Sequence, residues 1–278
     1  MPTRPVTDKL PGLPPATARP PAASAPVPAQ SRAAPAPPPA PTAPRGSERI
    51  PIRGLRRRIA DKMRESWQHA VHFTFVEEAD VSRLVDLRKR MNRTLEPEGI
   101  KLSFLPFIVK AVCTAMRRHP EINSWVDEAA QEVIRHDAIH VGIATATDRG
   151  LMVPVVHDAD RMTLRQLGAE IARLADAART GKASMAELTG STFTVTSLGA
   201  QGGLLATPIL NHPEVGIMGV HRIRKRPWVV DDRIEARDII TVSGSFDHRI
   251  IDGHIGAAYI YEVLRYLEDP EQLMLELV

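Results

Sequence analysis

Ten histidines are spread over the 278 residues, and one stands where acid–base chemistry could be done. His248 lies in Ser245-Phe-Asp-His-Arg-Ile-Ile-Asp252-Gly253, where a strand-like run meets a turn and an apolar-periodic stretch begins. A histidine at such a strand-to-helix turn is held at the end of a rigid element, where scaffolds present reactive groups. Imidazole titrates near neutrality, so it can take a proton from a thiol or hydroxyl at physiological pH. The alternative is a histidine packed on the turn, with Asp252 as the N-cap of the following helix. No protein nucleophile accompanies it: there is no Gly-x-Ser-x-Gly, and Cys113 sits in an apolar stretch that reads as core. A general base without a nucleophile fits direct transfer, one substrate attacking the other in a ternary complex. Such a reaction needs a hydrogen-bond donor for the developing oxyanion. The Thr/Ser-rich run ending in Thr196-Ser197-Leu198-Gly199 is the best source, though it also reads as ordinary β-branched strand.

The remaining histidines carry less. His69, His119, His157 and His212 fall at loop or helix-end positions and read as structural. His136 and His140 have the i, i+4 spacing of a helical metal pair, but residues 135–140 lead into a strand and no third ligand is near.

The elements that must position these residues follow from periodicity. Apolar positions 55, 59, 60, 63 and 67 predict a helix over 55–70, with a charged opposite face. His72 to Asp80 reads as a strand, 81–95 as an amphipathic helix, and 104–118 as a more apolar, buried helix closed by His119-Pro120. His140–Ala146 and Leu151–Val156 read as a strand pair around the turn residues 147–150. A helix over 163–180 ends at Gly181, a C-cap. Strands follow at 191–197, 215–220, 228–230 and 239–245, with a flexible Gly199–Gly203 loop, and a helix closes the chain over 253–267. Helices interspersed with strands, without strict βαβ alternation, predict a two-layer α/β sandwich on a mixed sheet.

Residues 1–47 are a different material. Fifteen of the 24 prolines and 11 alanines lie in residues 1–44, and no apolar period survives there. Repeated proline removes the backbone donors that helix and sheet need, so the segment reads as an extended, solvated linker. It begins at Met1, which leads to the expectation of a module in front of it or a partner tethered through it. Its five basic residues against Asp8 give +4. The domain at 48–278 therefore carries 31 basic and 32 acidic side chains, so the overall charge of +3 does not argue for nucleic acid. One cysteine excludes a disulfide framework, and no run of roughly 18 apolar residues reads as a membrane span.

Ser245–Gly253 resembles the active-site signature of the dihydrolipoyl acyltransferases of 2-oxo acid dehydrogenase complexes, shared in part with chloramphenicol acetyltransferase. The resemblance continues in family order through Gly54-Leu-Arg-Arg-Arg-Ile-Ala60, Lys101-Leu-Ser-Phe-Leu-Pro-Phe107, His140-Val-Gly-Ile-Ala144, Gly150-Leu-Met-Val-Pro154, Phe193-Thr-Val-Thr-Ser-Leu-Gly199 and Pro213-Glu-Val215. It covers residues 48–278, and the Pro/Ala stretch is similar to the linkers that join modules in these proteins.

The resemblance implies a chloramphenicol acetyltransferase-like fold and acyl transfer between dihydrolipoamide and coenzyme A. His248 matches the catalytic base and Thr196 the hydroxyl that donates to the oxyanion. Asp252 matches the signature acid, with the role of holding the turn, and Gly253 allows the sharp backbone. Arg88 and Ser103 match positions near coenzyme A in branched-chain members, and Ser197 lies beside the pantetheine path. The implied assembly is a homotrimer, with His248 of one subunit meeting Thr196 of its neighbour. Trimers then build a cubic 24-mer or dodecahedral 60-mer. The implied partners are a lipoyl domain carrying the lipoamide (outside this sequence), a 2-oxo acid decarboxylase and dihydrolipoamide dehydrogenase, in the bacterial cytoplasm.

His72–Val81 is most similar to the bacterial branched-chain type, ahead of the acetyl- and succinyl-transferring types. Ala146 departs from the Asp that some branched-chain members carry near the cofactor. Two other classes stand as alternatives: a non-catalytic core subunit, which His248 and Asp252 argue against, and a stand-alone trimeric acetyltransferase.

Overall fold

A computed structural model describes residues 46–148, 150–199 and 202–276. The expected linker lies outside the described residues except for its last two, and so do Ala200 and Gln201 of the expected 199–203 loop. Pro51–Val278 forms one compact unit.

Its elements are α1 (Gly54–His69), β1 (His72–Asp80), α2 (Ser82–Leu95), α3 (Leu105–Met116), β2 (Ser124–Asp127), β3 (Glu132–Arg135), β4 (Val141–Thr147), β5 (Gly150–Met152) and β6 (Val155–Val156). After these come α4 (Leu164–Thr180), β7 (Phe193–Ser197), β8 (Gly216–Val220), β9 (Arg224–Val230), β10 (Arg233–Asp247), α5 (Gly253–Glu268) and α6 (Pro270–Leu275). The main sheet runs β1-β10-β8-β7-β4-β5, with β6 beside β4 and β9 beside β10. β7 is parallel to both β4 and β8, and the other pairs are antiparallel. The mixed sheet and its helical layer agree with the fold predicted from the pattern.

Four local differences have physical causes. The expected strand at 151–156 is split into β5 and β6 around Pro154, which has no N–H to give a ladder. β9 begins at Arg224 and β10 at Arg233, both earlier than predicted, because their charged residues form a two-stranded ribbon exposed to water. β2 and β3 pair as a separate hairpin that no apolar alternation marks, since every residue of β3 is exposed. Trp67 on α1 is 65% exposed although it sits on the predicted apolar stripe.

The two faces of the sheet differ in chemistry. On one, Phe193, Val195, Met218, Val242 and Phe246 meet α3 and α5, and burying each such side chain contributes about 1.5–3 kcal/mol. Helix α5 comes close because Gly256 has no side chain: a Cβ there would lie 2.9 Å from the Phe246 ring and 3.0 Å from Phe73. α3 is apolar almost all round and nearly wholly buried. Its single charge, Lys110, is satisfied by donating to the carbonyls of Asp160 (2.7 Å) and Met162 (2.6 Å). Residues alternate across a strand, so Thr194, Thr196, Ser243, Ser245 and Asp247 share the opposite face. That face is buried too: Ser243 and Ser245 are at 0% exposure and Asp247 at 1%. Its fully buried polar groups, Thr194, Ser243, Ser245 and Asp247, are hydrogen-bonded, as burial demands. The Thr74 and Ser245 hydroxyls pair at 2.8 Å, and Glu214 accepts from Ser191, Thr194 and Asn211.

Candidate active site

β10 delivers His248 one residue past its end, at the start of the turn into α5. The His248 N–H donates to the Val71 carbonyl at 2.8 Å, and its ring lies against Phe73 with centroids 4.5 Å apart. The residue is exposed, and neither ring nitrogen bonds another described residue. A base in that state is free to meet a substrate.

The carboxylate that holds this turn is Asp247, not Asp252. Asp247 Oδ1 accepts from the backbone N–H of Val71 (3.2 Å) and of Arg249 (3.1 Å), and both its oxygens accept from the Arg249 guanidinium. Asp252 takes the N-cap position of α5 with extended backbone, yet its side chain makes no capping hydrogen bond and is exposed. The expected turn-holding role therefore falls to the buried acid at the strand end. Gly253, beside it, begins α5 and lines neither of the clefts described next.

Two clefts adjoin at the other end of the sheet. One, of about 690 Å³, is lined by Arg88, Lys89, Asn92, Arg93 and Lys101, with Glu96 as its acid. The other, of about 500 Å³, is more apolar and is lined by Ser103, Phe104, Ile108, Ser197, Val220 and His221 among others. Arg88 joins them: its guanidinium carbon sits 4.2 Å above the centre of the Phe104 ring, and its Nη1 donates to the Leu102 carbonyl at 3.3 Å. Arg88 Nε is buried with no hydrogen-bond partner among the described residues. Ser103 and Ser197 thus share one cleft and Arg88 lines its neighbour. His221 was not expected there; its Nε2 accepts from the Ala206 N–H at 3.3 Å and pairs with the Ser243 hydroxyl at 2.9 Å. Burial lowers the pKa of His221.

Thr196 is half-buried on the opposite face of β7 from Ser197. The register places it level with Gly219 on β8 and Ser243 on β10. Five residues of rise from Ser243 to His248, at about 3.3 Å each, and two strand spacings of about 4.8 Å separate Thr196 from His248 by roughly 19 Å. One chain does not bring them together.

Cys113 is 1% exposed, and burial pushes its thiol up to about 12, so it is no nucleophile at neutral pH. His136 meets the Trp125 ring edge-on, while His140 accepts from the Asp158 N–H at 3.0 Å, so the two are engaged in separate contacts.

Residues 44–275 match the family model for the 2-oxoacid dehydrogenases acyltransferase (catalytic domain). The chain belongs to this family. The lipoamide acyltransferase component of the branched-chain alpha-keto acid dehydrogenase complex of Pseudomonas putida is 48% identical over 230 residues, 83% of this chain and 54% of that protein. This chain thus spans about half the length of the curated relatives it matches. The Azotobacter vinelandii dihydrolipoamide acetyltransferase superposes with a TM-score of 0.79 at 34% identity, covering 84% of this chain and 99% of that one. A structure of the cubic core of the pyruvate dehydrogenase multienzyme complex gives the same values.

Within this acyltransferase-family domain, Asp247, Arg249, Phe104 and His221 are the site residues that the sequence reading did not single out. Asp247 had a signal, because the alternation Ser243, Ser245, Asp247 continues one strand face up to the turn.

Proposed function

We propose that this chain transfers an acyl group between a dihydrolipoamide arm and coenzyme A by direct thiol–thioester exchange, with His248 as general base. One observation carries the reading: a basic cleft adjoins an apolar one across the Arg88–Phe104 stack, and the apolar cleft reaches Ser197, next to Thr196. A polyanionic head with a long thiol arm, as in coenzyme A, matches that sequence of surfaces. Arg88 would hold phosphate, with Ser103 and Ser197 along the arm.

His248 withdraws the proton of the coenzyme A thiol, and the thiolate attacks the carbonyl carbon of the acyl-dihydrolipoamide thioester. The Thr196 hydroxyl of a neighbouring copy donates to the oxyanion. Collapse breaks the bond to the lipoamide sulfur, which recovers the proton from the His248 imidazolium. Acyl-CoA and dihydrolipoamide result. The Azotobacter vinelandii study concerns a serine, a histidine and an asparagine in that enzyme's catalytic mechanism, 52 and then four positions apart. Thr196, His248 and Asp252 have the same separations, which supports their assignment to the site.

The roughly 19 Å between Thr196 and His248 in one chain supports a site shared between copies. Leu198, Leu204 and Leu205, all exposed, give the region after Thr196 the apolar surface such an interface needs. The proposed assembly is a homotrimer that builds a 24-mer or 60-mer core, in the bacterial cytoplasm. Its proposed partners are a lipoyl domain, a 2-oxo acid decarboxylase and dihydrolipoamide dehydrogenase. The 48% identity with the Pseudomonas putida component supports the branched-chain type.

The test is acyl transfer from isobutyryl-, acetyl- and succinyl-CoA to dihydrolipoamide by the assembled protein. Isobutyryl-CoA should be the best donor, and His248→Ala should lower kcat by about 10²–10⁴. An assembled core with no turnover on any donor refutes the acyltransferase reading.

A further inference from the structure

The ring of His248 is not fixed by a hydrogen bond to any described residue, so its place depends on the turn that carries it. That turn is tied down twice at Val71. The Val71 carbonyl accepts the His248 N–H (2.8 Å), and the Val71 N–H donates to Asp247 Oδ1 (3.2 Å). The second tie is only as fixed as the Asp247 carboxylate, which is buried and ionic and so needs a counter-charge.

Arg249 supplies it, and from a particular direction. Its Nε and Nη2 donate to Asp247, with Nη2–Oδ2 at 2.6 Å. Its Nη1 and Nη2 donate to Glu128 at 3.3 and 2.8 Å. Glu128 directly follows β2, in the β2–β3 connection, and is 121 residues away in sequence. That connection is itself ordered, since Asp127 Oδ1 accepts from the N–H groups of Ala129 and Ala130. The guanidinium is therefore clamped between the catalytic turn and a hairpin from elsewhere in the chain. The hydrogen bonds to Asp247 and then Glu128 raise the Arg249 pKa, and Arg249 holds Glu128 below its ordinary range.

We infer that Arg249 and Glu128 are positioning residues: the Asp247–Arg249–Glu128 clamp, fastened to the β2–β3 hairpin, fixes the turn that presents His248. The inference rests on the reading of His248 as the base. Other charged groups face this clamp. His69 Nδ1 and His212 Nε2 lie 3.9 and 3.6 Å from Glu128, the two rings stack at 5.2 Å, and Glu65 faces His212 at 3.6 Å. His72, on β1, bonds the Leu210 N–H and the Ala70 carbonyl instead.

The experiment uses the full assembled chain with Arg249→Met, Arg249→Lys and Glu128→Gln, beside His248→Ala as reference. Displacement of a reacting group by about 1 Å costs on the order of 10²-fold, so Arg249→Met should lower kcat by about that factor. The KM values for coenzyme A and dihydrolipoamide should stay within about twofold, because neither cleft is lined by these residues. Arg249→Lys should recover part of the rate, having charge without the planar fork. Glu128→Gln, which leaves the Asp247–Arg249 pair, should cost about three- to tenfold. The loss in Arg249→Met should fall on kcat with KM and the folded fraction unchanged, a split that a merely structural residue would not give.

Wild-type kcat in both Arg249→Met and Glu128→Gln overturns the inference. So does a rate loss that only tracks the fraction of folded core, or an Arg249→Lys rate no better than that of Arg249→Met. If His248→Ala keeps its rate, the base reading itself fails; if it loses activity while Arg249→Met does not, only the clamp fails.

Discussion

Mixing two inactive variants tests the shared site directly. His248 and Thr196 lie roughly 19 Å apart in one chain, from five residues of strand rise and two strand spacings. A base and an oxyanion donor acting on one carbonyl must each come within about 3 Å of the reacting atoms, so both cannot serve the same site from one chain. In a cyclic trimer with a head-to-tail interface, each site takes His248 from one subunit and Thr196 from the next. Equal amounts of His248→Ala and Thr196→Ala chains, unfolded together and reassembled at random, then give an intact site whenever a Thr196→Ala subunit supplies the histidine and a His248→Ala neighbour the threonine. That is half of a half, so about one quarter of the wild-type turnover per chain should return, against a background of about 1% or less from the parents. Diluting wild type with an equal amount of the double variant gives a second reading: about one quarter if sites are shared, about one half if they are not. Activity in the first mixture no higher than the mean of its parents, together with one half in the second, refutes the shared site.

Three further outcomes follow from the geometry. Burial raises Glu214 to about 7, so between about pH 4.5 and 7 the folded chain keeps a proton that the unfolded chain has lost; stability falls as pH rises through that window, by about 3 kcal/mol. Glu214→Gln, which mimics the protonated acid toward Ser191 and Thr194, should flatten that slope in urea titrations at pH 5 and pH 8, and an unchanged slope removes Glu214 as its source. Arg88→Met should raise the KM for coenzyme A about tenfold yet leave pantetheine as acceptor unaffected, by steady-state kinetics, since only the former brings phosphates to the basic cleft. Gly256→Ala should destabilise the domain by about 1–3 kcal/mol in denaturant melts, because its Cβ would press on the Phe246 and Phe73 rings, and a neutral result would mean that α5 can move outward freely.

What the sequence shows and what it conceals divide along physical lines. Strand β1 was legible because Phe73-Thr-Phe-Val76 opens it with β-branched and aromatic residues, and α4 because its period ends on Gly181, which adopts the left-handed conformation expected of a C-cap. The apolar reading of α3 also agreed with its burial. The β2–β3 hairpin was not legible: its strands are four residues each and β3 is exposed throughout, so no burial pattern is written into it. Glu128 inherits that silence, and its contact with Arg249 spans 121 residues, beyond any local pattern.

Asp247 and Asp252 flank the same turn but meet different surroundings. Their burial is decided by the elements on either side. Asp247 is the last residue of β10 and keeps the two-residue alternation of Ser243 and Ser245, which puts it on the buried polar face, where an unpaired carboxylate could not persist. Asp252 follows the turn at the N-cap of α5, where water reaches it and no hydrogen bond to the helix is made. An ion pair is therefore required at the first position and optional at the second. The same alternation turns Thr196 toward the polar face and Ser197 toward the apolar cleft, so adjacent residues of one strand serve different surfaces. The strand period thus sets Thr196 and Ser197 on two surfaces, and under the proposed function His248, at the far end of β10, comes from another copy to complete the site.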